Sequence, residues 1–319
     1  MGLGTGHVTK TTADKFIPEI WSDEIIAAYK KNLVAANLFS KMAFKGKKGD
    51  TLHIPKPTRG DASLKTASNQ VNLIAATETE VQVLVNKHYE YSRLIEDIVE
   101  VQALSSLRKF YTDDAGYALA RQVDTDLIRL GRLLNSGTWN GTDATFTYAN
   151  AFLASDGTTA FDPTANTNTG NEAAIADAGI RRTIQRLDDN DVPMTDRFFI
   201  VPPSTRNELM GLDRFTEQSF TGEVGSANTI RNGQIGDIYG VKVYVSTNCD
   251  TATTAGSGDV NPRIALMAHK DAFVLVEQMG VRSQTQYKQE YLGTLFTSDM
   301  LYGVKEVRPE NAVALAVFG

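Results

Sequence analysis

The sequence predicts an α+β fold in which helices are segregated from a largely antiparallel sheet. Three observations point there. One apolar stripe keeps helical spacing from Ser92 to Asn135, several short segments alternate with period two, and strand patterns crowd the C-terminal part of the chain. The 319 residues, 42% hydrophobic and 22% charged, have an ordinary globular balance and suffice for one large domain or two modest ones. No period of 20–50 residues repeats, which excludes a solenoid.

Residues 1–15 are rich in glycine and threonine and bury too little to order themselves alone. Phe16, Ile17, Pro18, Ile20 and Trp21 follow as an apolar knot, read either as ordinary core or as an anchor laid across a neighbouring subunit. A short helix is expected from Ser22 to Asn32, with Ser22 as cap and Asp23 and Glu24 at the positive end of the dipole. Lys45-Gly46-Lys47-Lys48-Gly49-Asp50 is a polar turn. Beyond it Leu52 and Ile54 alternate, and Pro55 and Pro57 exclude a central strand. Val81, Val83 and Val85 alternate again, continuing through Lys87, Tyr89 and Tyr91. Residues 46–91 therefore predict a long two-stranded excursion with one apolar face. An isolated hairpin is marginal in water, so this one is expected to lie on something else.

From Ser92 to Asn135 the apolar positions run Leu94, Ile98, Val101, Leu104, Leu107, Tyr111, Ala115, Leu119, Val123, Leu127, Leu130 and Leu134. Steps of three and four mark one helical face, and such a helix would be roughly 60 Å long. The stripe breaks strict heptads, which favours a spine packed on a sheet over a coiled coil. Thr112-Asp113-Asp114 is a weak point for a kink, and Asn135-Ser136-Gly137 ends the pattern. A polar stretch over 136–170 precedes a second helix, with Asn171 as cap and Ile175, Ile180, Ile184 and Leu187 on its face. Arg197–Val201 reads as a buried strand stopped by Pro202-Pro203, after which Ser204 caps a helix through Leu212. Val241, Val243 and Val245 form another strand, and further strands are expected near 263–268, 272–277, 304–308 and 312–317.

A search for chemistry finds no catalytic constellation. His7, His53, His88 and His269 lie far apart without metal-ligand spacing. Cys249 is the single cysteine, so no intrachain disulfide forms, and with no histidine nearby in sequence it reads as a small loop residue rather than a nucleophile. Asp188, Asp189 and Asp191 lack the glycine and distal glutamate of a calcium loop and read as a solvated helix exit. Asp113 and Asp114 point about 100° apart on a helix, which is poor geometry for acid–base work. Arg121, Arg129 and Arg132, like Arg181, Arg182 and Arg186, read as solvated faces with carboxylate partners, or as a scaffold or subunit contact. Neither a cofactor nor a metal site is predicted. A net charge of −6 argues against a main affinity for phosphate backbones, and three lysines at 45, 47 and 48 do not reverse that. No membrane-length apolar run and no secretory pattern is present, which predicts a protein made and used in a cytoplasm.

The order of parts is the specific signal: an arm, a long hairpin, a very long helix, a mixed region and a terminal strand pair. This order resembles the Hong Kong ninety-seven type capsid fold of tailed bacteriophages. Phrases similar to that family include Phe16-Ile17-Pro18-Glu19-Ile20-Trp21-Ser22, Gly49-Asp50-Thr51-Leu52-His53-Ile54-Pro55 and Tyr91-Ser92-Arg93-Leu94-Ile95-Glu96-Asp97. Further along stand Val201-Pro202-Pro203, the run from Gly233 to Tyr244, and the run from Leu301 to Glu310. The resemblance implies an N-terminal arm and short helix at 1–45, an E-loop at 46–91, and a P-domain spine helix with its following loop at 92–150. It places a mixed A-domain at 151–300 and closing strands at 301–319.

It also implies a major capsid protein, not an enzyme, that self-assembles as pentamers and hexamers into an icosahedral shell. The implied partners are further copies of the chain, a scaffolding protein during assembly, a portal protein and packaged double-stranded DNA held without sequence specificity. A decoration protein is a further option, and a membrane is not implied. The arm and hairpin would lie on neighbours, so Phe16, Ile17, Pro18, Ile20, Trp21, Leu52, Ile54, Val81, Val83, Val85 and Tyr89 are expected at subunit interfaces. No lysine–asparagine crosslink is predicted, although Lys65 and Lys87 lie in the hairpin region. An encapsulin-like cage and another phage structural protein stay open as alternatives. The implied location is the virion capsid, with assembly in the bacterial host cytoplasm.

Overall fold

The computed structural model describes residues 34–44, 49–57, 60, 62–68, 70–71, 73, 78–98, 107–131, 134, 152–159, 173–212, 236–251 and 262–317. The knot at Phe16–Trp21, the helix expected over Ser22–Asn32, the lysines at 45, 47 and 48, and the helix stop at 135–137 lie outside these residues.

Burial alternation explains the central layer. Strand β12 (Ala312–Val317) is buried throughout, with Ala312, Ala314 and Ala316 facing one hydrophobic cluster and Val313, Leu315 and Val317 the other. It belongs to a six-stranded sheet of β5 (Phe152–Ala154), β12, β9 (Arg263–His269), β6 (Arg197–Val201), β8 (Val241–Val245) and β7 (Asp237–Ile238), in that order. The pairs β12–β5 and β6–β8 are parallel and the other neighbours antiparallel. On the valine side the helices α3 (Asp177–Asp189) and α4 (Pro203–Met210) pack through Ile180, Leu187 and Leu209. On the alanine side short side chains leave room for the long helix α2 (Leu107–Leu130), which buries Leu119, Val123, Leu127 and Ile128 there. Each fully buried Leu or Ile stabilises this layer by about 1.5–3 kcal/mol.

The other end of α2 lies on a four-stranded sheet ordered β1 (Ser40–Ala43), β10 (Phe273–Lys288), β11 (Gly293–Glu306) and β4 (Lys87–Glu96). The pair β1–β10 is parallel and the remaining two pairs are antiparallel. Just before β1, the single-turn helix α1 (Ala35–Leu38) leads into Phe39, whose ring packs on Phe198 and Phe273 at 5.0 and 4.8 Å. The two sheets thus share one core through α2 and Phe39. A separate two-stranded hairpin joins β2 (Thr51–Pro57) to β3 (Glu78–Leu84).

Several expectations need correction. Ser92 to Glu96 is strand, not helix: β4 runs to Glu96 and pairs Ile95 with Thr294 on β11. The four-residue step from Leu94 to Ile98 imitated helical spacing. Burial alternates from Lys87 to Ser92, and further on Ile95 is buried while Leu94 and Ile98, the residues of the supposed helical face, are exposed. The described helix spans 24 residues, about 36 Å. The excursion ends at Leu84, since β4 crosses into the larger sheet. Helix α3 starts at Asp177 after Ala176, so Ile175 precedes it. Its amide instead donates to Glu208 Oε2 at 2.9 Å. Pro203 occupies the first turn of α4, and no side-chain cap from Ser204 is made. Finally, 278–303 holds most of β10 and β11: β10 is polar and exposed from Arg282 to Tyr287, and in β11 the buried or half-buried positions include Thr294, Thr297, Ser298 and Asp299, so neither showed an apolar alternation.

Candidate assembly surface

The hairpin is rooted by packing and by one close backbone approach. Val83 and Val85 are buried with Phe44, Val274 and Val276, while Leu52, Ile54, Leu301 and Val307 pack partly buried around them. At Gly303 on β11, an added Cβ would stand 2.4 Å from the Leu84 carbonyl oxygen. Only a residue without a side chain lets β3 leave over β11 there. The Val85 amide donates to Asp50 O at 2.8 Å and Gln278 Nε2 to Gly49 O at 2.9 Å, closing the root. Further out, Lys56 Nζ reaches Glu310 Oε1 at 3.5 Å across an open cleft of about 570 Å³ between the hairpin and the turn before β12.

This geometry sorts the residues expected at subunit interfaces. Val83 and Val85 serve the subunit's own core, and the Tyr89 ring stacks on Tyr302 at 5.9 Å. Leu52, Ile54 and Val81 are half-buried on the hairpin face. The apolar side chains that reach solvent include Leu64, Val71, Leu73 and Leu84 on the excursion, and Ile98, Tyr291 and Leu292 near the β10–β11 turn. Leu64 and Leu292 stand in polar stretches where no periodicity marks them, whereas Ile98 reads as part of the helical stripe.

Two buried carboxylates on α2 fix the body that presents these surfaces. Asp126 Oδ2 accepts from Tyr302 Oη at 2.7 Å and from Lys87 Nζ at 3.0 Å, and Gln122 Nε2 donates to Oδ1 at 3.2 Å. Burial and the Asp126 carboxylate together push the Tyr302 hydroxyl far above its ordinary range, so it stays a donor. Asp124, fully buried, accepts at Oδ1 from the amides of Val34 and Ala35 at 3.0 and 2.7 Å. Its Oδ2 accepts from Asn248 Nδ2 at 2.8 Å. The carboxylate therefore sits at the start of α1, where unpaired amides favour negative charge. Neither carboxylate was singled out from sequence, because each flanks the apolar stripe and reads as its polar border.

The remaining candidates are structural in their surroundings. Cys249 is buried beside Pro202, Pro203 and Ser246, and desolvation pushes its thiol up to about 12. Asp188 pairs with the buried Arg197 at 2.7 Å, tying the end of α3 to β6. Arg181 pairs with Asp177 at 3.0 Å, and Arg129 approaches Asp250 at 3.5 Å. Asp114 accepts from Tyr91 Oη at 3.0 Å. His53 bonds Glu80 at 2.9 Å and His88 bonds Asp299 at 3.0 Å, while His269 Nδ1 accepts from the Asp271 amide at 3.2 Å. Among the described residues no group of three or more His, Cys, Asp and Glu is placed to hold a metal ion, and no helix is long and apolar enough to cross a membrane.

The profile of a family described as phage capsid protein matches residues 96–315. The chain belongs to that phage capsid protein family. Solved structures agree on the fold of this capsid protein. A chain of Mycobacterium phage Che8 is 24% identical with a TM-score of 0.70, covering 94% of this chain and 97% of the other. The capsid of cyanophage P-SCSP1u gives 19% identity and a TM-score of 0.74 over 99% and 97% of the two chains. That of cyanophage Pam1 gives 13% and 0.73 over 99% of each. No curated protein matches the chain. The α+β arrangement is the Hong Kong ninety-seven type capsid fold. A capsid protein works by association, so its functional site is its surface.

Proposed function

We propose that this chain is the repeating subunit of a tailed-phage head, associating as pentamers and hexamers into a closed icosahedral shell around double-stranded DNA. The family match over most of the chain is the observation that carries this reading. The hairpin supports it: β2 and β3 are hydrogen-bonded to each other alone among the described strands, and the excursion exposes Leu64, Leu73 and Leu84. Such a projection finds cover on a neighbouring copy. Phe16, Ile17, Pro18, Ile20 and Trp21 are proposed to anchor the N-terminal arm in the same way, and Leu52, Ile54 and Val81 to line the hairpin's contact face.

Closed symmetry turns contacts that are weak singly into a stable lattice, because each subunit is held at several places at once. A scaffolding protein, a portal and possible cover by a decoration protein belong to the same proposal, with assembly in the bacterial cytoplasm and no enzymatic step. The net charge of −6 fits a container that holds DNA without gripping it. Gradient sedimentation of the protein, expressed alone and with its neighbouring phage genes, tests the reading. Fast-sedimenting closed particles are expected. Material that stays at the size of single subunits in both cases overturns it.

A further inference from the structure

Open strand edges are places where another chain can add a strand, and proteins guard them with charges, proline or shortness. Most open edges among the described residues are guarded. Strands β5 and β7 have three and two residues. The outer edge of β1 has four, including Lys41. On the hairpin, β2 carries Pro55 and β3 carries Glu80. Strand β4, the other rim of the four-stranded sheet, carries Lys87, His88, Glu90, Arg93 and Glu96 over ten residues.

One edge differs. Strand β1 covers β10 only from Val274 to Glu277, and a register irregularity between Glu277 and Arg282 follows. Beyond it, Arg282 to Lys288 pairs with β11 on one side and with no described strand on the other. The central run Ser283-Gln284-Thr285-Gln286-Tyr287 is exposed and contains neither charge nor proline. Arg282, the charge that would guard it, is turned onto Asp299, with Nε to Oδ1 at 2.8 Å and Nη2 to Oδ2 at 2.9 Å. Threonine and tyrosine favour strand, and glutamines bond readily across a ladder.

We infer that the free edge of β10 from Arg282 to Lys288 receives an extended segment of a second copy of this chain, which adds a strand to the sheet in the assembled shell. This rests on the capsid reading, since a protein that stays single has no second copy to supply the strand. Backbone pairing suits such a contact: it asks little of side chains, so it tolerates the unequal environments of pentamers and hexamers.

Hydrogen–deuterium exchange of shells and of unassembled subunits at one pH reads the edge directly. Amides of 282–288 that point away from β11 are expected to exchange roughly tenfold or more slowly in shells. Equal exchange in both states overturns the inference, and so does protection already present in subunits, which would mean that the same chain covers the edge. Gln284→Pro and Thr285→Pro give a second reading, because neighbouring strand residues send their amides to opposite sides and one of the two faces outward. An edge tolerates proline. The variant that unfolds at the parent temperature is expected not to form shells, and normal shells from it overturn the inference. Should the parent form no shells at all, the capsid reading fails first, which keeps the two failures apart.

Discussion

Asp124 shows how one buried side chain holds three segments. Its two oxygens serve the Val34 and Ala35 amides and the Asn248 side chain, so Asp124→Ala strands three buried donors. The substitution is expected to lower the unfolding free energy by about 2–5 kcal/mol, measured by urea titration. Asp299 is held down to about 2 by Arg282 and His88, against an ordinary 3.8, with Glu90 across the ladder. A lowered carboxylate stabilises the fold above its unfolded value and loses that contribution as pH falls through the folded one. The difference in melting temperature between the parent and Asp299→Asn should therefore be widest above about pH 4 and close towards pH 2. A gap that stays constant over that range contradicts the assignment. Residues such as these were not legible beforehand. Asp124 sits one position from Val123, and only a three-dimensional neighbour separates a buried carboxylate from a solvated one.

At the scale of elements, the two glycines Gly303 and Gly116 make opposite predictions. A Cβ at Gly303 meets the Leu84 carbonyl at 2.4 Å, whereas one at Gly116 on α2 meets nothing within 4 Å. Gly303→Ala should destabilise the fold by about 1–3 kcal/mol and loosen the hairpin root. Gly116→Ala should stabilise it by about 0.5–1 kcal/mol, since alanine is the better helix former. Thermal unfolding of both variants checks the pair. The spine helix was legible because Ala115, Leu119, Val123 and Leu127 repeat at one face and all are buried. Its expected start was not, because Leu94 and Ile98 extend the same spacing from strand into helix while both stay exposed. Likewise the far halves of β10 and β11 were missed. Backbone pairing holds them there, and their side chains, apart from Phe296, leave little apolar pattern.

For the whole molecule, the order of parts proved the most readable feature. Each part solves its own burial problem with a different period: two for the hairpin and sheets, three and four for the helix. Their succession survives substitution of nearly every residue, as the 13% identity with the Pam1 capsid illustrates. Contact surfaces were far less readable. Val83 and Val85 share the alternation of Val81, yet they fill the subunit's own core, and sequence period alone does not tell an inner face from an outer one. The central claim, that copies of this chain close into an icosahedral shell, is tested most directly by cryo-electron microscopy of the protein expressed with its neighbouring genes. The account predicts closed particles of uniform size whose reconstruction shows pentamers and hexamers of this subunit, with its hairpin resting on a neighbour. Fields of single subunits, without rings, sheets or shells under any of these conditions, would contradict it.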